Sequence, residues 1–144
     1  MARVKLSLPD QFHFYTIIPI RITDVNYGGH VGNDALLGII HEARMQFLAF
    51  MGYNEMNIAG AGLIMSDVII EFKQEAFYGD KIKISVGASD FSRAGFDIYY
   101  KLEKEAEGIT ATVANAKTGM VCYNYTLKKV MAIPEAAIIK LQGA

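Results

Sequence analysis

The sequence predicts an α+β fold in which an antiparallel β-sheet wraps around one long central α-helix. Two observations lead to this prediction. Apolar residues recur at steps of three and four over residues 33–51, which is the spacing of a helix with one buried face. Before and after that segment, apolar and polar residues alternate with a period of two, as in strands with one buried face. A sheet curved around the helix would bury all of these faces in one core.

The central helix is expected to span residues 33–51, with Asn33 as its N-cap and Gly52 as its stop. Its predicted buried face is formed by five residues, Leu36, Ile40, Ala43, Phe47 and Phe50. One strand is expected before it, at residues 12–21, where Pro19 cannot donate to a ladder and indicates an edge position or a local irregularity.

Four strands are expected after the helix, at residues 64–72, 81–88, 96–103 and 109–127. Their short connections predict that they pair in sequence order as an antiparallel meander. A bulge is expected near residues 117–119, and a short helix after Pro134.

Composition limits the class of protein. The 144 residues are 52% hydrophobic and 20% charged, which fits a single domain over 1–144. A net charge of −1 argues against a nucleic-acid partner. No stretch reaches the roughly 18 to 20 apolar residues of a membrane span, and the N-terminus lacks a signal-peptide pattern, so a cytoplasmic location is expected.

No metal or redox cofactor is expected. Cys122 is the only cysteine and lies in an apolar strand-like run, which favours a buried hydrophobe over a nucleophile. The three histidines, His13, His30 and His41, follow no zinc-binding spacing.

A polar, glycine-rich turn leads directly into the helix and is the expected site of chemistry. It contains Asp24, Asn26, Tyr27, Gly28, Gly29 and His30. Glycine allows positive φ and a close approach of a ligand to the backbone. The helix N-terminus behind the turn presents N–H groups and the positive end of a dipole, which favour an anion or a developing oxyanion.

This region resembles the hot-dog-fold acyl-CoA thioesterases of the 4-hydroxybenzoyl-CoA thioesterase type. Their usual pattern is Asp-Thr-Asp-x-x-Gly-His-Val-Asn-Asn, and residues 24–33 read Asp-Val-Asn-Tyr-Gly-Gly-His-Val-Gly-Asn. Glu-Ala-Arg at residues 42–44 and Tyr-Gly-Asp at residues 78–80 are also similar to that family. The resemblance implies a hot-dog fold, active sites across a dimer interface, and hydrolysis of a small or medium acyl-CoA. Two alternatives are a hot-dog hydratase or dehydratase using His30 and Glu42, and a non-catalytic acyl-thioester-binding module.

One position departs from the family pattern. The second aspartate of the Asp-x-Asp pair, the usual nucleophile or base, is replaced by Asn26, whose amide can donate a hydrogen bond but cannot take a proton. The reacting carboxylate is then expected to be Asp24 or Glu42. His30 either binds the thioester oxygen or orients the carboxylate, or it only stabilises the turn.

Further contacts are expected for the substrate and for a partner subunit. Gly29 allows close approach to the backbone, and Ser92 and Arg93 in a later turn are the preferred contacts for coenzyme A phosphates. Asp34 is attributed to the helix dipole. Apolar residues outside the predicted core indicate a homodimer, or a dimer of dimers, in which the turn at residues 24–32 faces the partner; they are Leu37, Met45, Leu48, Met65, Ile69 and Tyr99.

Overall fold

The computed structural model describes residues 3–143 as one antiparallel sheet with a long helix against its concave face. The elements are β1 (Phe14–Pro19), a 3₁₀ turn (Ile22–Asp24), α1 (Asn33–Phe50), β2 (Gly62–Phe72), β3 (Lys81–Ser89), β4 (Gly95–Ala106), β5 (Ile109–Asn124), β6 (Lys129–Val130) and α2 (Glu135–Gly143). The predicted domain bounds include Met1, Ala2 and Ala144, which lie outside the described residues. Within residues 3–143, neither α1 nor α2 combines the length and the apolar composition needed to cross a bilayer.

The strand order is β1-β3-β4-β5-β2, with β6 paired to β5. The antiparallel sheet, the central helix, the edge position of Pro19 and the helix after Pro134 are therefore confirmed. The predicted four-strand meander is wrong, because β2 pairs with β5 and β1 takes the place beside β3. The eight residues of segment 73–80 span up to about 26 Å when extended, which is enough to cross three strand spacings of about 5 Å each.

The core lies between one face of α1 and the inward side chains of the central strands. Ile40, Ala43 and Phe47 are completely buried in α1, and their partners alternate along the strands: Ile82, Ile84 and Val86 in β3, and Ile98, Tyr100 and Leu102 in β4. Ala114 and Ala116 of β5 are also fully buried, and their small size lets the helix approach the sheet.

Two predictions about α1 are wrong, namely Asn33 as its N-cap and Phe50 as a buried residue. Its N-cap is Gly32, with extended backbone at φ −74° and ψ 155°, so that Asn33 is the first helical residue. Gly52 adopts φ +80° and ends the helix as predicted. Phe50, predicted to be buried, is 68% exposed; it is the last residue of α1 and contacts the partly buried Phe14 of β1 with 5.3 Å between ring centroids.

The bulge predicted near residues 117–119 of β5 lies instead in β2, the strand that pairs with β5. Residues 117–119 pair regularly, and the extra residue is Ser66 in β2, between Met65 and Asp67. Its hydroxyl donates to the Gly119 carbonyl at 3.1 Å, while the Asp67 carboxylate accepts the Gly119 N–H. A second irregularity lies in β5 at Val113.

A buried polar cluster inside the core was not predicted. Arg44 of α1 is only 5% exposed and donates from Nη1 to the Tyr100 hydroxyl at 3.2 Å and from Nε to Glu55 at 3.3 Å. The Tyr100 hydroxyl also shares a hydrogen bond of 2.7 Å with Thr118. Burial raises the pKa of Tyr100, so its hydroxyl stays protonated. The cluster ties α1 to β4, β5 and the loop after the helix.

Tyr100→Phe is expected to lower the free energy of unfolding by about 1–3 kcal/mol, because it leaves buried polar groups of Arg44 and Thr118 without a partner. Tyr99→Phe is the matched control, since the Tyr99 hydroxyl donates to Asp90 at the surface and its loss should cost less than about 0.5 kcal/mol. Urea unfolding of both variants measures the difference, and equal effects would contradict the role given to the cluster.

Candidate active site

Backbone hydrogen bonds hold the turn before α1 in a closed shape. The N–H of Asn26 donates to the His30 carbonyl at 3.0 Å, and the N–H of Gly29 donates to the Asn26 carbonyl at 3.0 Å. Gly29 has φ +85°, a conformation that favours glycine. At the end of the turn, the Gly32 N–H donates to the Asp24 carbonyl at 3.2 Å, so the turn closes directly under the start of α1.

Neighbouring segments fix this turn to the sheet. The Val31 N–H donates to the Ala76 carbonyl at 2.8 Å. Ile20, just before the turn, exchanges backbone hydrogen bonds with Gly79 and Asp80. The Tyr-Gly-Asp segment at residues 78–80 forms a turn between β2 and β3, with Gly79 at φ +88°, and its hydrogen bonds hold the chain that enters the candidate site.

Asp24 is 5% exposed and both of its carboxylate oxygens are occupied by Arg21. Oδ2 accepts the Arg21 N–H at 2.9 Å and Nε at 3.3 Å, and Oδ1 accepts Nη2 at 3.2 Å. Burial raises the pKa of Asp24, but the hydrogen bonds and the charge of Arg21 outweigh burial and lower it. These contacts suit a group that holds the turn, and they do not favour the prediction that Asp24 is the base.

Asn26 and His30 are oriented by their own turn. The Asn26 side-chain oxygen accepts the Gly28 N–H at 2.9 Å, which leaves the amide Nδ2 as a donor. His30 Nδ1 lies 3.3 Å from the Val31 carbonyl. Its ring lines a cleft of about 220 Å³ together with residues that include Leu36 and Phe72.

Glu42 is exposed on α1 and turned toward β1. Its carboxylate accepts Gln46 Nε2 at 2.9 Å, and the Gln46 side-chain oxygen in turn accepts the hydroxyl of Thr16. The pKa of Arg21 is raised mainly by its hydrogen bond to Asp24 and by the charge of Asp24, with a further contribution from Glu42. Glu42 therefore lies on the side of the helix that faces Arg21 and the edge strand.

A second cleft of about 380 Å³ opens between α1 and β2, with Asp34, Leu37, Gly38, His41, Arg44 and Met65 as its lining. Leu37 and Met65 give it apolar walls. Among residues 3–143, apart from the chain neighbours of Gly38 and the backbone of α1 around it, no heavy atom lies within 4 Å of the position that a Gly38 Cβ would take. His41 Nε2 lies 2.6 Å from the Glu55 carboxylate, whose other oxygen accepts Arg44 Nε. His41 and Glu55 were not among the predicted site residues.

The predicted phosphate contacts lie elsewhere in the subunit. Ser92 and Arg93 occupy the turn between β3 and β4, so that the whole of β3, about 30 Å of extended chain, separates them from Asp80. Ser92 lines a small cleft with three carboxylates, those of Asp67, Asp90 and Asp97. That surrounding is unfavourable for a phosphate, although the contact itself stays a prediction.

Cys122 is completely buried, and burial raises the pKa of its thiol to about 11. The thiol therefore stays protonated at neutral pH and is a poor nucleophile. The prediction of a buried hydrophobe is confirmed.

Asp24→Asn is expected to lower the free energy of unfolding at pH 7 by about 1–2 kcal/mol, since it weakens the contacts with the largely exposed Arg21. A carboxyl whose folded-state pKa is lowered stabilises the fold above its ordinary pKa and loses that effect as the pH falls through the folded value. The difference between wild type and variant should therefore shrink below about pH 4. Urea unfolding at pH 7 and pH 3 tests this, with Asp10→Asn as an exposed control. A difference that stays constant with pH would argue against the ion pair.

Residues 20–141 match the thioesterase-like superfamily. A curated relative from Microcystis aeruginosa, 1,4-dihydroxy-2-naphthoyl-CoA hydrolase, is 32% identical over 120 residues, covering 81% of this chain and 84% of its own. Among solved structures, a thioesterase superfamily protein from Jannaschia has a TM-score of 0.80 at 19% identity, covering 92% of this chain and 83% of its own.

Two further structures are similar. The 1,4-dihydroxy-2-naphthoyl-CoA thioesterase from Synechocystis has a TM-score of 0.78 at 21% identity, covering 89% of this chain and 94% of its own. An aspartate-to-asparagine mutant of 4-hydroxybenzoyl-CoA thioesterase, complexed with 4-hydroxybenzoyl-CoA, has a TM-score of 0.78 at 17% identity, covering 90% of this chain and 98% of its own.

Proposed function

The chain belongs to the thioesterase-like superfamily, and we propose that it hydrolyses the thioester of an aromatic, hydroxyl-bearing acyl-CoA. Membership confirms the predicted family and the predicted enzyme class, an acyl-CoA thioesterase, and the similar solved structures confirm the hot-dog fold. The names of the relatives favour thioester hydrolysis over the alternatives of a hydratase, a dehydratase or a non-catalytic binding module.

The acyl class rests mainly on the cleft between α1 and β2. Its volume of about 380 Å³ lies within the usual range of small-molecule sites. Leu37 and Met65 provide apolar contacts for a ring, and His41 presents an imidazole oriented by Glu55 that can hydrogen bond to a phenolic hydroxyl. The names of the Microcystis and Synechocystis proteins, 1,4-dihydroxy-2-naphthoyl-CoA hydrolase and thioesterase, agree with such an acyl group.

The start of α1 supplies the electrostatic part of the reaction. The first N–H groups of a helix have no acceptor within the helix, and they stabilise the negative oxygen that forms when water attacks the thioester carbonyl. Asn26 Nδ2 is a further donor, because its side-chain oxygen is already used by Gly28. A carboxylate must take the proton of the attacking water, and the coenzyme A thiolate then leaves. No metal or redox step is needed for this sequence of events.

The enzyme is proposed to act as a homodimer joined along β2. This strand is an edge of the sheet and carries partly exposed apolar side chains, Ile64, Met65, Val68 and Phe72, at 37, 40, 37 and 54% exposure. A second copy would cover Ile64, Val68 and Phe72 together with the half-buried Met45, next to the cleft that Leu37 and Met65 line. Leu48 does not contribute as predicted, since it is fully buried within the subunit. A dimer of dimers stays a prediction.

Release of thiol from four substrates tests the proposal: 1,4-dihydroxy-2-naphthoyl-CoA, 4-hydroxybenzoyl-CoA, benzoyl-CoA and hexanoyl-CoA. We expect kcat/KM to be at least about tenfold higher for the hydroxyl-bearing aromatic thioesters, the value of one good hydrogen bond. His41→Ala should reduce that preference by a similar factor, while His13→Ala, exposed and remote from the cleft, should keep it.

The outcomes separate the parts of the proposal. Hydrolysis of hexanoyl-CoA alone would contradict the aromatic acyl group but not the enzyme class. Binding of all four thioesters without hydrolysis of any would overturn the enzyme itself in favour of a binding module.

A further inference from the structure

Asn26 of the turn and Asp34 of the first turn of α1 both lie close to Gly32, which has no side chain. If Gly32 carried a Cβ atom, that atom would lie 2.7 Å from Oδ1 of Asp34 and 3.8 Å from Nδ2 of Asn26. The Asp34 carboxylate therefore occupies the space that a Gly32 side chain would take, and the Asn26 amide borders the same space. From this geometry we propose that Asp34 is the general base of thioester hydrolysis and replaces the carboxylate absent at Asn26. The proposal rests on the function proposed above.

The contacts of the other two candidate carboxylates support this assignment. Both oxygens of Asp24 accept hydrogen bonds from Arg21, and the residue is almost completely buried. Glu42 is hydrogen bonded to Gln46 and faces Arg21 and β1, away from Met65 and the cleft beside β2. Within residues 3–143, by contrast, no hydrogen bond or ion pair occupies the carboxylate of Asp34.

Asp34 also lies next to the expected position of the thioester carbonyl, where a general base must be. It lies in the first turn of α1, beside the N–H groups that would hold the thioester oxygen, and it lines the cleft proposed for the acyl group. Gly38, one turn further along the helix, leaves open space next to it. A carbonyl held at the helix start with its acyl group in this cleft places the carbonyl carbon beside Asp34.

The step balances without another reactant. The Asp34 carboxylate takes one proton from a water molecule while the water oxygen bonds to the carbonyl carbon, and the negative oxygen of the intermediate is held by the helix N–H groups and Asn26. When the intermediate collapses, the C–S bond breaks and the thiolate leaves. Asp34 then returns its proton to the sulfur, giving free coenzyme A, the carboxylic acid and the starting carboxylate.

Steady-state kinetics of Asp34→Asn with 1,4-dihydroxy-2-naphthoyl-CoA test the proposal. We expect kcat to fall by about 10²-fold or more, the scale of general-base removal, with KM changed by less than about threefold. Glu135→Gln removes a first-turn carboxylate from α2, the other helix, and should leave the kinetics unchanged. Circular dichroism checks that each variant is folded.

Two further variants use the neighbourhood of Gly32. Adding Asn26→Asp to Asp34→Asn should restore at least about tenfold of the lost kcat, because the new carboxylate would also border the Gly32 Cα. Gly32→Ala keeps an allowed backbone at φ −74°, yet its Cβ displaces the Asp34 carboxylate, so kcat should fall while the protein stays folded.

Wild-type hydrolysis with an unchanged kcat for Asp34→Asn would overturn Asp34 as the base and leave the thioesterase function standing. Loss of activity in Asp34→Asn without any rescue by Asn26→Asp, and with Gly32→Ala fully active, would also count against it, since the geometry around Gly32 would then be irrelevant. If the wild type hydrolysed no thioester, the proposed function would be wrong, and the role of Asp34 as its base would be wrong with it.

Discussion

The burial of one face of α1 against the sheet determines where the candidate active site lies. Ile40, Ala43 and Phe47 are completely buried, and the small side chains of Ala114 and Ala116 let the helix lie close to β5. A helix packed in this way can neither rotate nor slide without opening cavities in the core, each of which costs several kcal/mol. The direction of its N-terminus is therefore fixed, and with it the position of the turn and the first N–H groups.

Charged and polar residues around this helix divide into those that hold it and those that are available for chemistry. Arg21 and Asp24 neutralise each other at the entrance to the turn, and Arg44 is held between Tyr100 and Glu55. Their hydrogen-bonding capacity is used by the fold. Asn26 Nδ2 and the Asp34 carboxylate both border the Gly32 Cα, and this is the geometry behind the proposal that Asp34 supplies the carboxylate absent at position 26.

Periodicity in the sequence was sufficient to predict the helix, the sheet and most strands, because each reflects a local alternation of apolar and polar residues. Strand order was not accessible in the same way, since the pairing of β2 with β5 depends on contacts some fifty residues apart. The turn was located correctly by its glycines and its motif. The roles of individual side chains could not be predicted in the same way. The ion pair between Asp24 and Arg21 indicates a structural role for Asp24, and the contact of His41 with Glu55 depends on the path of the loop after α1, which no local pattern encodes.

A crystal structure with a ketone analogue of 1,4-dihydroxy-2-naphthoyl-CoA would show where the thioester carbonyl binds. In this analogue a methylene group replaces the sulfur, so that it cannot be hydrolysed. We expect the ketone oxygen to lie within about 3 Å of the N–H groups at the start of α1, with its carbon beside the Asp34 carboxylate. The ring should lie between Leu37 and Met65, with a hydroxyl group near His41. A ketone bound next to Glu42 on the β1 side of the helix, or in the cleft beside Phe72, would contradict both Asp34 as the base and the cleft between α1 and β2 as the acyl site.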